Sequence, residues 1–446
     1  MKITGCKNVH MVFPFYRRGK SLSVNFKGGE ISSDSGTLFL RQLDDKLKLT
    51  EMIARAIDDN RDPRYITHDM QTLIRQRVYQ IATGYEDCND ADDLRSDPIL
   101  KISCDRQLDE SEDLGSQPTF SRLENSLRWS ELYRTSEIFV ERFIRRHHRP
   151  PKKIILDMDS TDDPTHGAQQ LSMFNGYYDQ HMYHPLLIFE GTSGDLLAPV
   201  LRPGNVNSSP GSVAILRRIV KRLRSEWPNI RITVRADGGF AIPDLYEFCE
   251  EEHLDYVIGF QGTAPLKLLN EKNLQSAREE YKQTKMKVRI FDSTDYCASS
   301  WNKKRRVIMK TEVSVEGENQ RFVVTNLTES AEEVYDFYAM RGEVENQMIK
   351  ELKLDTMADR LSCHRFAANQ FRLLLHGFAY TLLLELRRKL HGTELATARM
   401  ATLRLRLLRV AARVRQTFRR IWIELPSSYP FKEIWYTLFT RLCPAC

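Results

Sequence analysis

Three acidic side chains, far apart in the chain, carry the chemistry: Asp159, Asp237 and Glu345. Asp159 closes an apolar, strand-like run, Ile154-Ile155-Leu156-Asp157-Met158-Asp159, and leads into Ser160-Thr161. Asp237 ends a second such run, Ile232-Thr233-Val234-Arg235-Ala236-Asp237, and precedes Gly238-Gly239-Phe240. Glu345 lies inside a helical pattern in which Tyr338, Arg341 and Glu345 fall at i, i+3 and i+7 and so share one face. Two acids at strand ends and a third on a helix can hold two Mg²⁺ ions across a phosphodiester, activating the attacking oxygen and stabilising the leaving one. Carboxylates suit this hard cation, which prefers oxygen ligands and shares its shell with substrate phosphate. Plainer roles exist for each residue. An Asp after a strand often caps a turn, and Arg341 with Glu345 alone would be an i,i+4 surface pair worth about 0.3–0.5 kcal/mol. Asp157 rivals Asp159, because residues two apart on a strand face the same way.

The elements that must position these acids follow from hydrophobic period. Residues 1–148 read as a mainly helical domain after an opening strand at Leu22–Phe26, with helices expected over Thr37–Leu49, His68–Thr83 and Glu131–Arg146. The basic run Arg145–Lys153 contains Pro150-Pro151 and reads as a linker. Residues 149–262 alternate strands and helices. Strands are expected at Ile154–Asp159, His184–Phe189, Leu196–Leu201, Ile232–Asp237 and Tyr256–Phe260, and helices at Ser212–Trp227 and Asp244–Glu252. The class is α/β with crossover helices, in which ligands collect at the carboxyl ends of strands. Residues 263–330 turn β-rich, with strands at Lys287–Phe291, Arg305–Lys310 and Arg321–Thr325. From Ala331 to about Trp422 the pattern is helical again, giving a final block 331–446. Asp162 and Asp163 read as a solvated loop after the first strand, and Glu343 and Glu351 as solvated positions on other faces of the Glu345 helix.

The chain resembles a DDE transposase of a bacterial insertion sequence, of the insertion sequence 1380 family and related to the insertion sequence 4 group. The resemblance is carried by Gly28-Gly-Glu-Ile-Ser-Ser-Asp-Ser-Gly36, Ser116-Gln-Pro-Thr-Phe-Ser-Arg-Leu-Glu-Asn125 and Asp157-Met-Asp-Ser-Thr161. It continues in Tyr183-His-Pro-Leu186, Leu201-Arg-Pro-Gly-Asn205, Arg235-Ala-Asp-Gly-Gly-Phe240 and the Tyr338/Arg341/Glu345 helix. It implies a ribonuclease-H-like core, interrupted by a β-rich insertion before the catalytic Glu, with Asp159 as first aspartate because a hydroxyl–threonine pair follows it. It also implies Asp159, Asp237 and Glu345 as metal ligands for two Mg²⁺, with Mn²⁺ able to substitute, and Tyr338 and Arg341 on the phosphate. Where the wider group has a lysine after the Glu this chain has Leu352, flanked by Lys350 and Lys353, of which Lys353 is taken as the phosphate contact. Related enzymes keep a base-stacking tryptophan in the insertion. Trp301, among polar and basic residues, is the candidate here, and a tryptophan packing the small β region is the alternative. The implied substrate is duplex DNA, both the terminal inverted repeats, read by the N-terminal domain, and the target. The enzyme would work as a homodimer on paired ends. A DNA-binding regulator without catalysis and a nuclease that cuts without joining are the rival functions.

Composition agrees with such a protein. At 446 residues with 41% hydrophobic and 28% charged residues, two or three folded domains are expected. No apolar run approaches the roughly 20 residues of a membrane span, and the opening residues lack the apolar segment of a signal peptide. Scattered cysteines fit reduced thiols in the cytoplasm, with nucleoid association when bound to DNA. Net charge is +6, but Arg360–Arg420 holds 14 Lys/Arg against 2 Asp/Glu, while Glu86–Asp113 holds 11 acids and 3 bases. A concentrated basic region is the electrostatic footprint of a DNA-binding surface. His181 and His184 lack further ligands nearby for a metal, and Cys443-Pro-Ala-Cys446 lacks a partner pair.

Overall fold

The computed structural model describes residues 11–13, 22–108 and 112–443. The side chains of residues 11–13, 22–23 and 343–346 lie outside the described set, as does Cys446. Two short strands, β1 (Met11–Phe13) and β2 (Leu22–Val24), pair antiparallel, and β3 (Glu30–Ser32) follows. Seven helices come next: α1 (Thr37–Leu47), α2 (Leu49–Ala56), α3 (Met70–Thr83), α4 (Asp90–Leu94), α5 (Pro98–Ser103), α6 (Gln117–Ser126) and α7 (Trp129–Arg146). The single helix expected over Thr37–Leu49 is broken at Lys48, which takes a left-handed conformation at φ +56°. Helix α3 starts later than the pattern suggested because the Asp69 carboxylate accepts the Thr72 N–H, capping the first turn. It stops at Gly84, whose φ of +92° suits glycine.

Residues 153–325 are built mainly on one eight-stranded sheet. Its strands begin with β4 (Lys153–Ser160), followed by a small three-stranded sheet of β5 (Asp163–Pro164), β6 (Met173–Asn175) and β7 (Gln180–Tyr183). Then come β8 (Leu186–Glu190), β9 (Leu196–Val200), α8 (Ser212–Glu226), β10 (Arg231–Ala236), α9 (Pro243–Glu251) and β11 (Asp255–Phe260). Helices α10 (Ala264–Leu269) and α11 (Glu271–Thr284) lead to β12 (Val288–Tyr296), β13 (Arg305–Ser314) and β14 (Gly317–Thr325). The order across the sheet is β12-β13-β14-β11-β10-β4-β8-β9. Strands β4, β10 and β11 are parallel, and every other pair is antiparallel. The β-rich residues therefore extend the same sheet, since β14 hydrogen-bonds to β11.

The central strands of the sheet are buried on both faces. Along β8, Leu187 and Phe189 face a helical body, while Leu186 and Ile188 face the α8/α9 side, the period-two alternation of a strand. The helical body is centred on a long helix near the end of the chain. After α12 (Ala331–Ala339) and α13 (Arg341–Glu343), the backbone winds into π-helical turns at Val344–Ile349 and Glu351–Asp355, and then forms α14 (Phe366–Arg388). Helix α14 is apolar nearly all round, which a helix tolerates only when enclosed, and it packs against α3, α1, α6 and α7. Its buried polar groups stitch it to the sheet edge. Gln370 accepts the Leu201 N–H and donates to the Pro199 carbonyl, and the Tyr380 hydroxyl donates to the Gly194 carbonyl.

The expected helix to Trp422 gives way earlier. A short α15 (Met400–Leu403) and a π-helical turn at Arg404–Leu408 lead into β15 (Ala412–Gln416) and β16 (Ile421–Glu424), before α16 (Lys432–Leu442). Ala412 and Val414 are buried while Arg413 and Arg415 are exposed, so the period there is two. β15 pairs with β3, joining the two ends of the chain in one sheet. Ser35 and Gly36 donate backbone hydrogen bonds to Val410 and Leu408. A Cβ on Gly36 would lie 2.0 Å from the Leu407 carbonyl oxygen, which accounts for the glycine at the end of the first motif.

Candidate active site

Strands β4 and β10 run side by side in parallel, with Ala236 opposite Met158. That register brings Asp237 and Asp159 out beside each other at the carboxyl ends, both half-buried. Asp159 Oδ1 accepts its neighbour's Ser160 N–H at 2.8 Å, and Oδ2 accepts from Arg341 Nη1 at 2.9 Å. Asp237 caps the short turn Gly238–Phe240, with Oδ1 accepting the Gly239 N–H at 2.9 Å. Tyr338 lies with its hydroxyl against Gly259 of β11, where an added Cβ would sit 2.4 Å from the phenol oxygen. Burial raises the Tyr338 phenol, against the pull of the Arg341 charge and with a further push from Asp237, so the phenol, the guanidinium and the second acid share one neighbourhood. Tyr178 joins them from the β6–β7 hairpin. Its phenol is pushed up to about 12 by burial and then by the charges of Asp162, Asp159 and Asp237.

Asp157, the rival acid, is two per cent exposed and occupied elsewhere. Arg235 grips it with two hydrogen bonds of 2.6 and 2.7 Å, donates a third of 2.7 Å to the Phe337 carbonyl, and lies 5.0 Å from the Phe337 ring centroid. Burial raises the Asp157 carboxyl, with the Arg235 contacts opposing it. Gly191 leaves room for it, since a Cβ there would meet Asp157 Oδ2 at 2.1 Å. Arg235 thus docks the Tyr338 helix onto the sheet, a role the sequence alone does not reveal. Arg202 does similar work behind Ser160. Buried, it donates to the Ser160 hydroxyl at 2.7 Å and to the carbonyls of His184 and Ser208.

The remaining candidates divide. Lys353 Nζ lies 2.6 Å from Asp162 Oδ1, tying that lysine to the rim of the acid pair, and Gln180 donates to the other Asp162 oxygen. Asp162 is therefore an ion-pair partner, and Asp163 is buried at two per cent exposure, so neither belongs to a solvated loop as their run of polar neighbours suggested. Glu351 is likewise buried, one per cent exposed and paired with Arg387 at 2.5 Å, because the π-helical turn rotates it inward. Trp301 is also corrected. It is seven per cent exposed, ringed by Tyr246, Phe260 and Tyr296 at centroid distances of 5.2 to 5.8 Å, with Arg305 over its face. Its polar sequence neighbours turn outward while the indole fills the core, so no exposed stacking surface exists there. His184 donates Nδ1–H to the Val206 carbonyl, a structural bond.

Glu345 sits in the π-helical turn that follows Arg341, and its side chain is among those outside the described set. Among the described residues, no group of three or more His, Cys, Asp or Glu side chains converges as a metal site. Two hard carboxylates at adjacent strand ends still make a donor set suited to Mg²⁺ rather than to a soft metal. A cation, the Arg341 guanidinium, already lies against one of them.

Across residues 16–445, nearly its whole length, the sequence matches the family described as transposase DDE domain, group 1, and the protein belongs to that family. Its members are enzymes of DNA cleavage and transfer, and they generally use divalent metal ions. Among solved structures, a piggyBac transposase synaptic complex with hairpin DNA, determined by cryo-EM, is similar at 13% identity and a TM-score of 0.40, with 90% of this chain and 83% of that chain covered. No curated protein matches the chain. Among the described residues, no helix is long and apolar enough to cross a membrane.

Proposed function

We propose that this transposase binds the terminal inverted repeats of an insertion sequence of the insertion sequence 1380 kind and performs Mg²⁺-dependent strand cleavage and strand transfer. The observation that carries the reading is Asp159 and Asp237 emerging together at neighbouring strand ends, beside Arg341 and Tyr338. Its core is ribonuclease-H-like. The order β9-β8-β4-β10-β11 supports this, with the first three strands antiparallel, the last three parallel, and helices α8 and α9 in the crossovers. Domains divide as 1–148, 149–262, the β-rich insertion 263–330, and 331–446 carrying the catalytic Glu. The protein acts as a homodimer on paired ends, in the cytoplasm and on the nucleoid.

Asp159, Asp237 and Glu345 hold two Mg²⁺, with Mn²⁺ able to substitute. When bound, the metal pair supplies activation of the attacking oxygen and stabilisation of the leaving one. Arg341 and Tyr338 orient the scissile phosphate by hydrogen bonds, the guanidinium suiting a paired grip on its oxygens. Lys353, held at the rim by Asp162, adds positive charge to the same phosphate run. Hydrolysis frees a 3′-hydroxyl at the element's end, and that hydroxyl then attacks a target phosphodiester, forming a new bond to its phosphorus while the target's own 3′-oxygen leaves as a hydroxyl.

The test uses duplexes copied from the two ends of the DNA segment that carries the gene, with Mg²⁺ present. Wild-type protein nicks them and yields strand-transfer products. Asp159→Ala, Asp237→Ala and Glu345→Ala bind the same duplexes but lose cleavage by at least about a thousandfold, the scale of removing a group that acts only in the transition state. Nicking without joined products would leave only a nuclease. Normal cleavage by any one of the three variants would remove that residue from the site.

A further inference from the structure

From Leu395 to Ile423 the chain holds eight arginines and no Lys, Asp or Glu. Part of that charge is used internally. Arg399 pairs with Asp355 at 2.7 Å, Arg404 donates to the carbonyls of Ala82 and Asp355, and Arg409 donates to the Thr83 carbonyl at 2.9 Å. Arg406 lies with its guanidinium 4.9 Å from the Phe431 ring centroid, and the other four arginines are displayed on one short ribbon, the β15–β16 hairpin. Cross-strand partners point to the same side of a sheet, so the pairs Arg413–Glu424 and Arg415–Trp422 define a single outward face. Arg413, Arg415, Arg419 and Arg420 are all exposed, and Glu424, in contact with Arg415, is the one acid on that ladder.

The tip is ordered by its own hydrogen bonds. The Thr417 N–H donates to the Arg420 carbonyl at 2.8 Å, and the Arg420 N–H donates to the Thr417 hydroxyl at 3.2 Å, leaving Phe418 and Arg419 as the loop. Phe418 is fully exposed, and Trp422 is 46% exposed with the Arg420 guanidinium 5.8 Å from its ring centroid. An isolated exposed aromatic is ordinary. An exposed phenylalanine held at the tip of an arginine-lined ribbon is a different object, because the summed positive field around it attracts a polyanion to that ring. The base of the ribbon is firm, with β15 paired to β3 and clamped by the Ser35 and Gly36 hydrogen bonds.

We propose that the β15–β16 hairpin is a DNA-binding arm separate from the acid site. A two-stranded ribbon fits a duplex groove. The four arginines meet phosphates, and Phe418 presses on the base pairs as an apolar wedge. The proposal rests on the reading of this protein as an enzyme acting on DNA. Its test is binding by the full-length protein to a fluorescein-labelled end duplex, across a salt series, with vesicles of anionic phospholipid as a second probe. The Arg419→Glu/Arg420→Glu variant weakens DNA binding more than tenfold, and its log–log salt slope falls by about 1.8, or about 0.9 for each phosphate no longer neutralised. Arg419→Gln/Arg420→Gln gives a smaller loss in the same direction, and thermal unfolding at the wild-type temperature shows that the effect is not misfolding. Phe418→Ala weakens binding several-fold with the slope unchanged. Wild-type binding together with an unaltered slope in both arginine variants overturns the arm alone. Vesicle binding that depends on these arginines while DNA binding does not reassigns the ribbon to a membrane surface and overturns it equally. A wild-type protein that fails to bind DNA overturns both the arm and the proposed function.

Discussion

Replacing Asp157 and Asp159 separately by Asn distinguishes a structural acid from a chemical one two residues away. Asp157 and Arg235 are each two per cent exposed and joined by two short hydrogen bonds. Asn keeps the shape of Asp157 but removes its charge, leaving a buried guanidinium with the amide oxygen, the Phe337 carbonyl and the Phe337 ring but no paired carboxylate. Breaking one side of a buried pair costs about 3–5 kcal/mol, and the retained amide oxygen places this case near the lower end. Asp159 pairs with Arg341 through one hydrogen bond at side-chain exposures of 13% and 17%, so its loss costs less than that of the doubly bonded, fully buried pair. Thermal unfolding followed by circular dichroism should therefore fall for Asp157→Asn by several degrees, at about 2–4 °C per kcal/mol for domains of this size. Asp159→Asn should stay within a few degrees of wild type. Cleavage assayed well below both transitions should persist at a reduced rate in Asp157→Asn and vanish in Asp159→Asn. An Asp157→Asn protein as stable as wild type but unable to cut would refute the division and make Asp157 the acid of the reaction.

Two further outcomes follow from buried and paired groups. Arg341→Ala removes the cation lying 2.9 Å from Asp159, so Mn²⁺ should bind the DNA-free protein more tightly, read from the paramagnetic resonance of free Mn²⁺; unchanged or weaker binding would mean the guanidinium does not compete with the metal. His376 is fully buried in α14 with Nδ1–H donating to the Thr356 carbonyl, and burial, with the charges of Arg372 and Arg77, holds its imidazole down at about 3. The unfolded chain takes up a proton near pH 6.5 that the folded chain cannot, so this residue's effect is absent above about 6.5 and erodes stability as pH falls toward 3. His376→Gln should accordingly flatten the fall of the urea midpoint between pH 6.5 and 5, where one proton contributes about 1.4 kcal/mol per pH unit; an equal slope in both proteins would show that His376 does not titrate this way.

Much of the sheet was legible because its strands are short apolar runs bounded by turn residues. The strands ending at Asp159 and Asp237 appear within a residue or two of expectation. What was not legible arises from contacts between distant segments. The period of Leu403–Arg415 reads as helix until β3, nearly four hundred residues earlier, supplies a strand partner for Ala412–Val414. Trp301 looks exposed from its neighbours, yet Tyr246 and Phe260, from elements before the β-rich segment, close over it. Asp162, Asp163 and Glu351 read as solvated because polar runs usually are, and only the fold brings Lys353 and Arg387 to two of them. Nor is the excess positive charge of Arg360–Arg420 one surface, since Arg372 and Arg404 are buried and Arg387 and Arg388 are paired with acids.

Arg235 shows why motif residues cluster around an acid without touching its substrate. For the pair of acids at the strand ends to act as proposed, the helix bearing Tyr338 has to be held at a fixed height above the sheet. Here the fixed point is a guanidinium with three hydrogen bonds, two to the inner aspartate of β4 and one to the backbone immediately before Tyr338. The inner aspartate, two per cent exposed, holds the arginine, whereas the outer one, at 13% side-chain exposure, lies at the strand end where the proposed cation would sit. Two acids with the same strand-face parity therefore serve opposite ends, and depth in the sheet separates them. Tyr338 is held in turn by the absence of a side chain at Gly259, so Asp157, Arg235 and Gly259 together fix the helix against the strands that end at Asp159 and Asp237.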